Sequence, residues 1–284
     1  MCFVHSLNRC KMLNFLSIIF AIMLSISAFA VSPVNFLSFE DSFKCNDRFP
    51  HHSFCNAVEF KEWSEKEKRY ITSILKEIDR PELKNFYQAI KDKGIKKLHR
   101  VKYSSTWYPN MAQRRTEFSR SARSALIWVN PVTNVVGITD SFFNSKDFID
   151  PYAKVSRKTL NILHEMVHIF DIATDHTSNK ISRSIGWTWV QQRNRFEIRD
   201  QDYDEVLAKF DQILSYVKAG DSPMAYSEDR RLGIELGFPT IYAMTNSHEC
   251  FAELLSYYIL DPYSREYLSI EVQDKLDLIL NTKH

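Results

Sequence analysis

Residues His164 to His168 read His-Glu-Met-Val-His, an H-E-x-x-H pattern. On an α-helix, two histidines four positions apart lie one turn above each other on the same face, so both imidazoles can reach one metal ion. Glu165 is displaced by one position, which places its carboxylate beside the ion, where it could take a proton from metal-bound water. The spacing therefore predicts a metal-binding pair and a general base.

The positions around this pattern are nearly all apolar, which predicts a buried helix. Its polar members form one stripe: Asn161, His164, His168 and Asp171. Burying such a stripe without partners would be unfavourable, and a bound metal ion would satisfy it. The alternative is a pair of buried histidines satisfied by hydrogen bonds alone.

A catalytic zinc needs a third protein ligand and one open position. Proteases that take it from the same helix carry Gly and His three and six residues after the motif, but this chain has Asp171 and Thr174 there. Asp171 is instead predicted to orient a ligand histidine. Glu249 and Glu253, four apart on a second and mostly apolar helical segment, are the remaining candidates. Alternatively, Asn246 caps that helix and Glu249 completes a capping box.

The motif together with Tyr242-x-x-Thr245-Asn246-x-x-Glu249-x-Phe251-Ala252-Glu253 resembles the gluzincin peptidases related to the catalytic domain of anthrax lethal factor. The resemblance covers these two segments and not the rest of the chain. It implies that Glu249 is the third zinc ligand and that Tyr242 stabilises the transition state. Glu253 would support a zinc-bound histidine or the ligand carboxylate from behind.

These residues favour a zinc metallopeptidase acting on a peptide or protein substrate, with Glu165 as base and Zn²⁺ as cofactor. Two imidazoles and a carboxylate suit zinc without demanding it. A zinc amidase acting on a cell-wall peptide or another non-protein amide would use the same chemistry. A metal-binding interaction protein without turnover is the third alternative, but a structural zinc needs no base.

The predicted fold is α+β, a helix-rich, zincin-like domain with a small mixed sheet beside the motif helix. Only 6 glycines occur in 284 residues, which disfavours a fold of many short strands and turns. We expect a single domain over residues 31–284, with a mostly helical part (31–97) and a zinc-binding part (98–284). Helical spacing predicts two helices within 59–97, divided at Pro81, and further helices at 156–175, 202–219, 246–260 and 270–280. β-Branched runs predict strands at 98–103, 125–129 and 135–138, the last two forming a hairpin. A Gly/Pro-bearing loop is predicted between 219 and 246.

Residues 1–30 are typical of an export signal: Arg9 and Lys11 precede an apolar run, and Ala28-Phe29-Ala30 has the form of a cleavage site. We expect a secreted or periplasmic protein without stable membrane association after cleavage, the alternative being a retained anchor. Removing these residues takes 37 basic and 35 acidic residues to 35 of each. A neutral chain offers no electrostatic reason to expect a nucleic-acid partner, and an Arg-rich stretch at 114–123 is interpreted as solvated surface.

Four further expectations concern cysteines and substrate contacts. Cys45 and Cys55 could form a disulfide in an oxidising compartment, whereas Cys250 is predicted to be a packed thiol. The segment 134–140 is a candidate edge strand for a substrate peptide, or else an internal strand. Trp187 and Trp189 could line an apolar subsite, or belong to the core.

Overall fold

The computed structural model describes residues 31–41, 58–103, 127–130, 135–178, 181, 187–190, 195–198, 208, 212, 222–244 and 246–283. The predicted α+β class is confirmed, because the described residues form a helix-rich fold with a small mixed sheet. The helices are α1 Pro33–Phe36, α2 Glu65–Glu77, α3 Lys84–Asp92, α4 Asp140–Asn144, α5 Arg157–Ala173, α6 Ser222–Glu235, α7 Ser247–Leu260, α8 Ser264–Tyr267 and α9 Ile270–Asn281, with 3₁₀ turns at Pro81–Leu83 and Tyr242–Met244. The strands are β1 Ser38–Glu40, β2 Val58–Lys61, β3 Lys97–Tyr103, β4 Ile127–Asn130, β5 Val135–Thr139, β6 Trp187–Val190 and β7 Arg195–Ile198.

The main sheet has the order β1-β3-β5-β4, and β2 pairs with the far half of β3. Strand β3 runs parallel to β1 and β5, whereas β4 and β5 form the predicted antiparallel hairpin. Strand β5 is therefore internal, which contradicts the edge-strand alternative for segment 134–140 and agrees with the internal-strand alternative. The described edge next to it is β4, which packs on helix α5. Strands β6 and β7 form a separate two-stranded pair.

Helix α5 lies at the centre of the hydrophobic core, with helices α2, α3 and α7 packed on it. Its buried apolar residues face the sheet and the other helices, and Leu163, Val167 and Phe170 are fully buried. The predicted division of segment 59–97 at Pro81 is confirmed, since Pro81 opens the 3₁₀ turn between α2 and α3. The prediction that a helix begins near residue 59 was wrong. Val58–Lys61 is a strand, because it pairs with β3.

Helix α6 occupies a segment that we expected to be a loop because of its proline and glycine. Pro223 lies in the first turn, where its missing N–H breaks no helical hydrogen bond. Gly233 allows close packing, since a Cβ there would lie 2.4 Å from the Thr240 Cα. The two positions that suggested a loop therefore let α6 form and approach the segment before α7.

Several predictions fall on residues outside the described ranges. They are the signal segment 1–30, the Cys45–Cys55 disulfide, the arginine-rich stretch and nearly all of the helix predicted over 202–219. Strand β6 contains Trp187 and Trp189, but their side chains are not among those described. Among the described helices, none has the length and apolar character needed to cross a bilayer.

Candidate metal centre

Helix α5 presents the two histidines of the motif on one face. It begins after Ser156, whose hydroxyl accepts a hydrogen bond from the Thr159 N–H at 3.0 Å, a typical N-cap contact. The Nε2 atoms of His164 and His168 lie 3.1 Å apart. His164 is 8% exposed and the His168 side chain is 20% exposed, so the pair is largely buried.

Helix α7 brings the carboxylate of Glu249 to the same point. The Asn246 side chain caps this helix by accepting from the N–H groups of His248 and Glu249, each at 3.0 Å. Glu249 Oε2 lies 3.0 Å from His164 Nε2 and 3.3 Å from His168 Nε2. The capping interpretation is therefore right for Asn246, while the Glu249 carboxylate is directed to the histidines of α5.

The three facing atoms are spaced as ligands of one ion would be. Two ligands about 2.0–2.1 Å from a tetrahedral zinc are separated by about 3.3–3.4 Å. The observed separations of 3.0, 3.1 and 3.3 Å match that spacing closely. His164, His168 and Glu249 could thus hold a metal ion, and three protein ligands would leave a fourth position for water or substrate.

The charge balance of the site also favours a cation. Burial disfavours the charged imidazolium, but the carboxylates of Glu249 and Glu253 outweigh it and raise the pKa of His164 to about 10. Burial opposes ionisation of Glu249 as well, yet its contacts with His164 and His168 hold its pKa well below the usual range. A metal ion would therefore displace a proton from His164 when it binds.

Glu253 lies behind His164, where the resemblance placed a supporting carboxylate. Its Oε1 is 2.8 Å from His164 Nδ1, although the ring N–H does not point directly at it. Its Oε2 accepts a hydrogen bond from the Thr240 hydroxyl at 2.9 Å, and the Thr240 oxygen in turn accepts from the Ala243 N–H. Glu253 is 1% exposed, so its position is fixed by packing as well as by these contacts.

Glu165 and Tyr242 both interact electrostatically with ligand residues. Burial raises the pKa of Glu165, opposed by the charges of His168 and His164. The Tyr242 ring centroid is 6.2 Å from that of His164, and burial together with the charge of Glu249 raises its pKa well above the usual value. The Tyr242 N–H donates to Asp229 Oδ1 at 3.1 Å, which fixes the turn that carries the ring.

Asp171 does not have the contacts that we predicted for it. Its Oδ1 accepts from the Ser178 N–H at 2.6 Å, and its Oδ2 lies 3.4 Å from the Nδ1 of His248 and 3.7 Å from that of His176. The two histidines near Asp171 are therefore not the motif histidines His164 and His168. Asp171 shares a helix face with His168, but its carboxylate contacts the Ser178 N–H and faces His248 because those groups pack against the last turn of α5.

Two residues of the site were missed. Thr240 holds Glu253, and Asp229 holds the backbone of Tyr242. Neither belongs to a recognisable spacing, because both contacts depend on how α6 and the following segment pack on α7. Cys250, by contrast, is fully buried in α7, as expected of a packed thiol.

Comparisons with known proteins add no relative. No protein-family model matches the sequence, and searches of curated proteins and of solved structures find no match. The interpretation of the site therefore rests on its own geometry and chemistry.

Proposed function

We propose that this protein is a zinc-dependent metallopeptidase that cleaves peptide bonds with Glu165 as general base. The proposal depends above all on one observation. Side chains separated by 81 and 85 residues in sequence place three ligand atoms within 3.3 Å of one another, and the Glu165 carboxyl interacts electrostatically with all three ligand residues. A purely structural zinc site would need the ligands but not the neighbouring carboxylate.

When bound, Zn²⁺ would polarise the scissile carbonyl and acidify a water molecule. Glu165 would accept the proton of the attacking water and pass it to the leaving amine. The Tyr242 hydroxyl, kept protonated by its raised pKa, would donate a hydrogen bond to the oxyanion. Glu253 would hold the His164 ring in the orientation that directs Nε2 towards the metal.

Strand β4 is the proposed docking edge for the substrate. It pairs with β5 on one side, and no other described strand pairs with it. A peptide could add to this edge by main-chain hydrogen bonds, next to helix α5.

The proposal also includes the fold type. The fold and ligand set would correspond to a zincin-like domain of the gluzincin type, as the resemblance to lethal-factor-related peptidases implies. Export through residues 1–30 belongs to the same proposal.

Comparing the parent protein with Glu165→Gln tests this function. Glutamine preserves the size of the side chain but cannot accept the proton. We expect equal zinc content by elemental analysis and a loss of at least about 100-fold in hydrolysis of a degenerate peptide library. Glu62→Gln, a change at an exposed glutamate, is the matched control and should retain full activity.

Unchanged cleavage by Glu165→Gln would exclude Glu165 as the base. Cross-linked cell-wall peptides should be assayed as a second substrate, because an amidase would cleave these and would not cleave the peptide library. If the zinc-loaded parent cleaves neither substrate, the non-catalytic metal-binding alternative is favoured.

A further inference from the structure

A second cluster of metal-ligating side chains lies next to the candidate metal centre. It contains Asp171, His176 and His248, each of which offers one ligand atom within 4.8 Å of the others. Asp171 belongs to the last turn of α5, His176 follows that helix, and His248 lies in the first turn of α7. We propose that these residues form a second site for a divalent transition metal such as zinc, which ties the end of α5 to the start of α7.

The separations of the facing atoms fit a shared ion. Asp171 Oδ2 is 3.4 Å from His248 Nδ1 and 3.7 Å from His176 Nδ1. Ligands of one tetrahedral zinc lie about 3.3–3.4 Å apart, so small side-chain rotations would bring both imidazoles to bonding distance. The two ring centroids are 5.9 Å apart with an interplanar angle of 69°, and the Nδ1 atom of each ring lies within 3.7 Å of Asp171 Oδ2.

The surrounding backbone fixes this arrangement in advance. Asp175 and His176 both adopt left-handed conformations, with φ of 53° and 56°, which non-glycine residues rarely do. That turn lets the His176 N–H donate to the Asp171 carbonyl at 2.8 Å and places the imidazole beside the carboxylate. The Ser178 N–H holds Asp171 Oδ1 at 2.6 Å, which leaves Oδ2 facing the two rings. Such contacts orient the ligands of a metal site.

The histidines of this second cluster are more exposed to solvent than the ligand residues of the first centre. The Asp171 side chain is 4% exposed, whereas those of His176 and His248 are 55% and 52% exposed. A metal here would therefore bind at the surface, with solvent completing its coordination, and two imidazoles with one carboxylate suit zinc or copper. Because His248 precedes Glu249, this ion would brace the helix turn that supplies the third ligand of the first centre. The inference does not depend on peptidase activity.

Zinc stoichiometry of the full chain, purified without a histidine tag, tests the proposal. Metal-free protein is equilibrated with Zn²⁺, and bound zinc is measured by elemental analysis. We expect two equivalents for the parent, one for His176→Ala/His248→Ala and one for His164→Ala/His168→Ala. Asp175→Asn is the matched control, because asparagine tolerates the left-handed conformation and removes a charge outside the cluster; it should retain two.

The decisive pair is the parent and His176→Ala/His248→Ala, since both substituted side chains are half exposed and the fold should tolerate their loss. One equivalent in the parent, or two in this variant, would overturn the second site. Loss of an equivalent in Asp175→Asn would also contradict the assigned ligands. Failure of the proposed function is distinguishable, because it would appear in the Glu165→Gln comparison while leaving both equivalents of zinc in place.

Discussion

Helix α7 carries a buried polar cluster at each end, and the two clusters differ in how their charges are balanced. At its first turn, Glu249 faces His164 and His168. At its C-terminal end, Asp261 forms an ion pair with Arg230 of α6 at 2.6 Å. The first cluster brings together groups that can all act as metal ligands, whereas the second contains its own cation.

In the arginine cluster, groups of the protein itself balance the positive charge. The Arg230 guanidinium pairs with Asp150 as well as Asp261 and donates to the Pro239 carbonyl, and it stacks 4.0 Å from the centre of the Tyr257 ring. Every one of the three side chains Arg230, Asp150 and Asp261 is fully buried. An arrangement of this kind favours stability of one conformation, whereas the histidine cluster favours binding of an external cation.

The largest expected effect is the loss of Arg230. Arg230→Met would leave the carboxylates of Asp150 and Asp261 buried without their cation, which costs about 3–5 kcal/mol of unfolding free energy. Urea denaturation of the metal-free protein measures this loss. His168→Ala in the same assay should cost less, because its side chain is 20% exposed and Glu249 keeps His164 as a partner; an equal loss in both variants would remove the distinction between the clusters.

The second prediction concerns stabilisation by metal. In a His176→Ala/His248→Ala background, zinc at 100 times the dissociation constant of the first centre should stabilise the protein by about 2.7 kcal/mol, because it binds the folded chain selectively. His168→Ala should lose the part of this stabilisation that comes from the first centre. Thermal unfolding with and without zinc measures the difference, in a His176→Ala/His248→Ala background so that only the first centre contributes. Full retention of the zinc effect in His168→Ala would contradict the assigned ligand.

The smallest expected effect lies between the clusters, at Asp229. Burial and the charge of Glu253 raise the pKa of Asp229 from 3.8 to about 7. Between these values the folded state retains a proton that the unfolded state loses, so stability contributed by the protonated acid is present at low pH and is lost as pH rises towards 7.

Asp229→Asn should remove this component of the pH dependence. Between about pH 5 and pH 7.5, the parent should lose about 2 kcal/mol more stability than the variant, as measured by urea denaturation of the metal-free protein. Parallel pH profiles for the two proteins would show that Asp229 titrates normally in the folded state.

Much of the local structure was predictable because it depends on residues close in sequence. Helices α5 and α7 follow from apolar spacing and from the caps Ser156 and Asn246, and the hairpin of β4 and β5 follows from β-branched runs around a turn. Helix α6 was missed because Gly233 indicates a loop by composition, while its function is to allow contact with Thr240. The choice between an edge and an internal position for β5 stayed open because strand order depends on pairing with β3.

The histidine pair was readable from the amino-acid order alone, since a four-residue spacing on a helix places both rings on one face whatever the rest of the chain does. The folded chain was needed to show that Glu249 reaches that pair, that Glu253 contacts His164 from the other side of the ring, and that Asp171 faces His248. Distances between separate helices are set by packing of the whole core, and no local spacing predicts them.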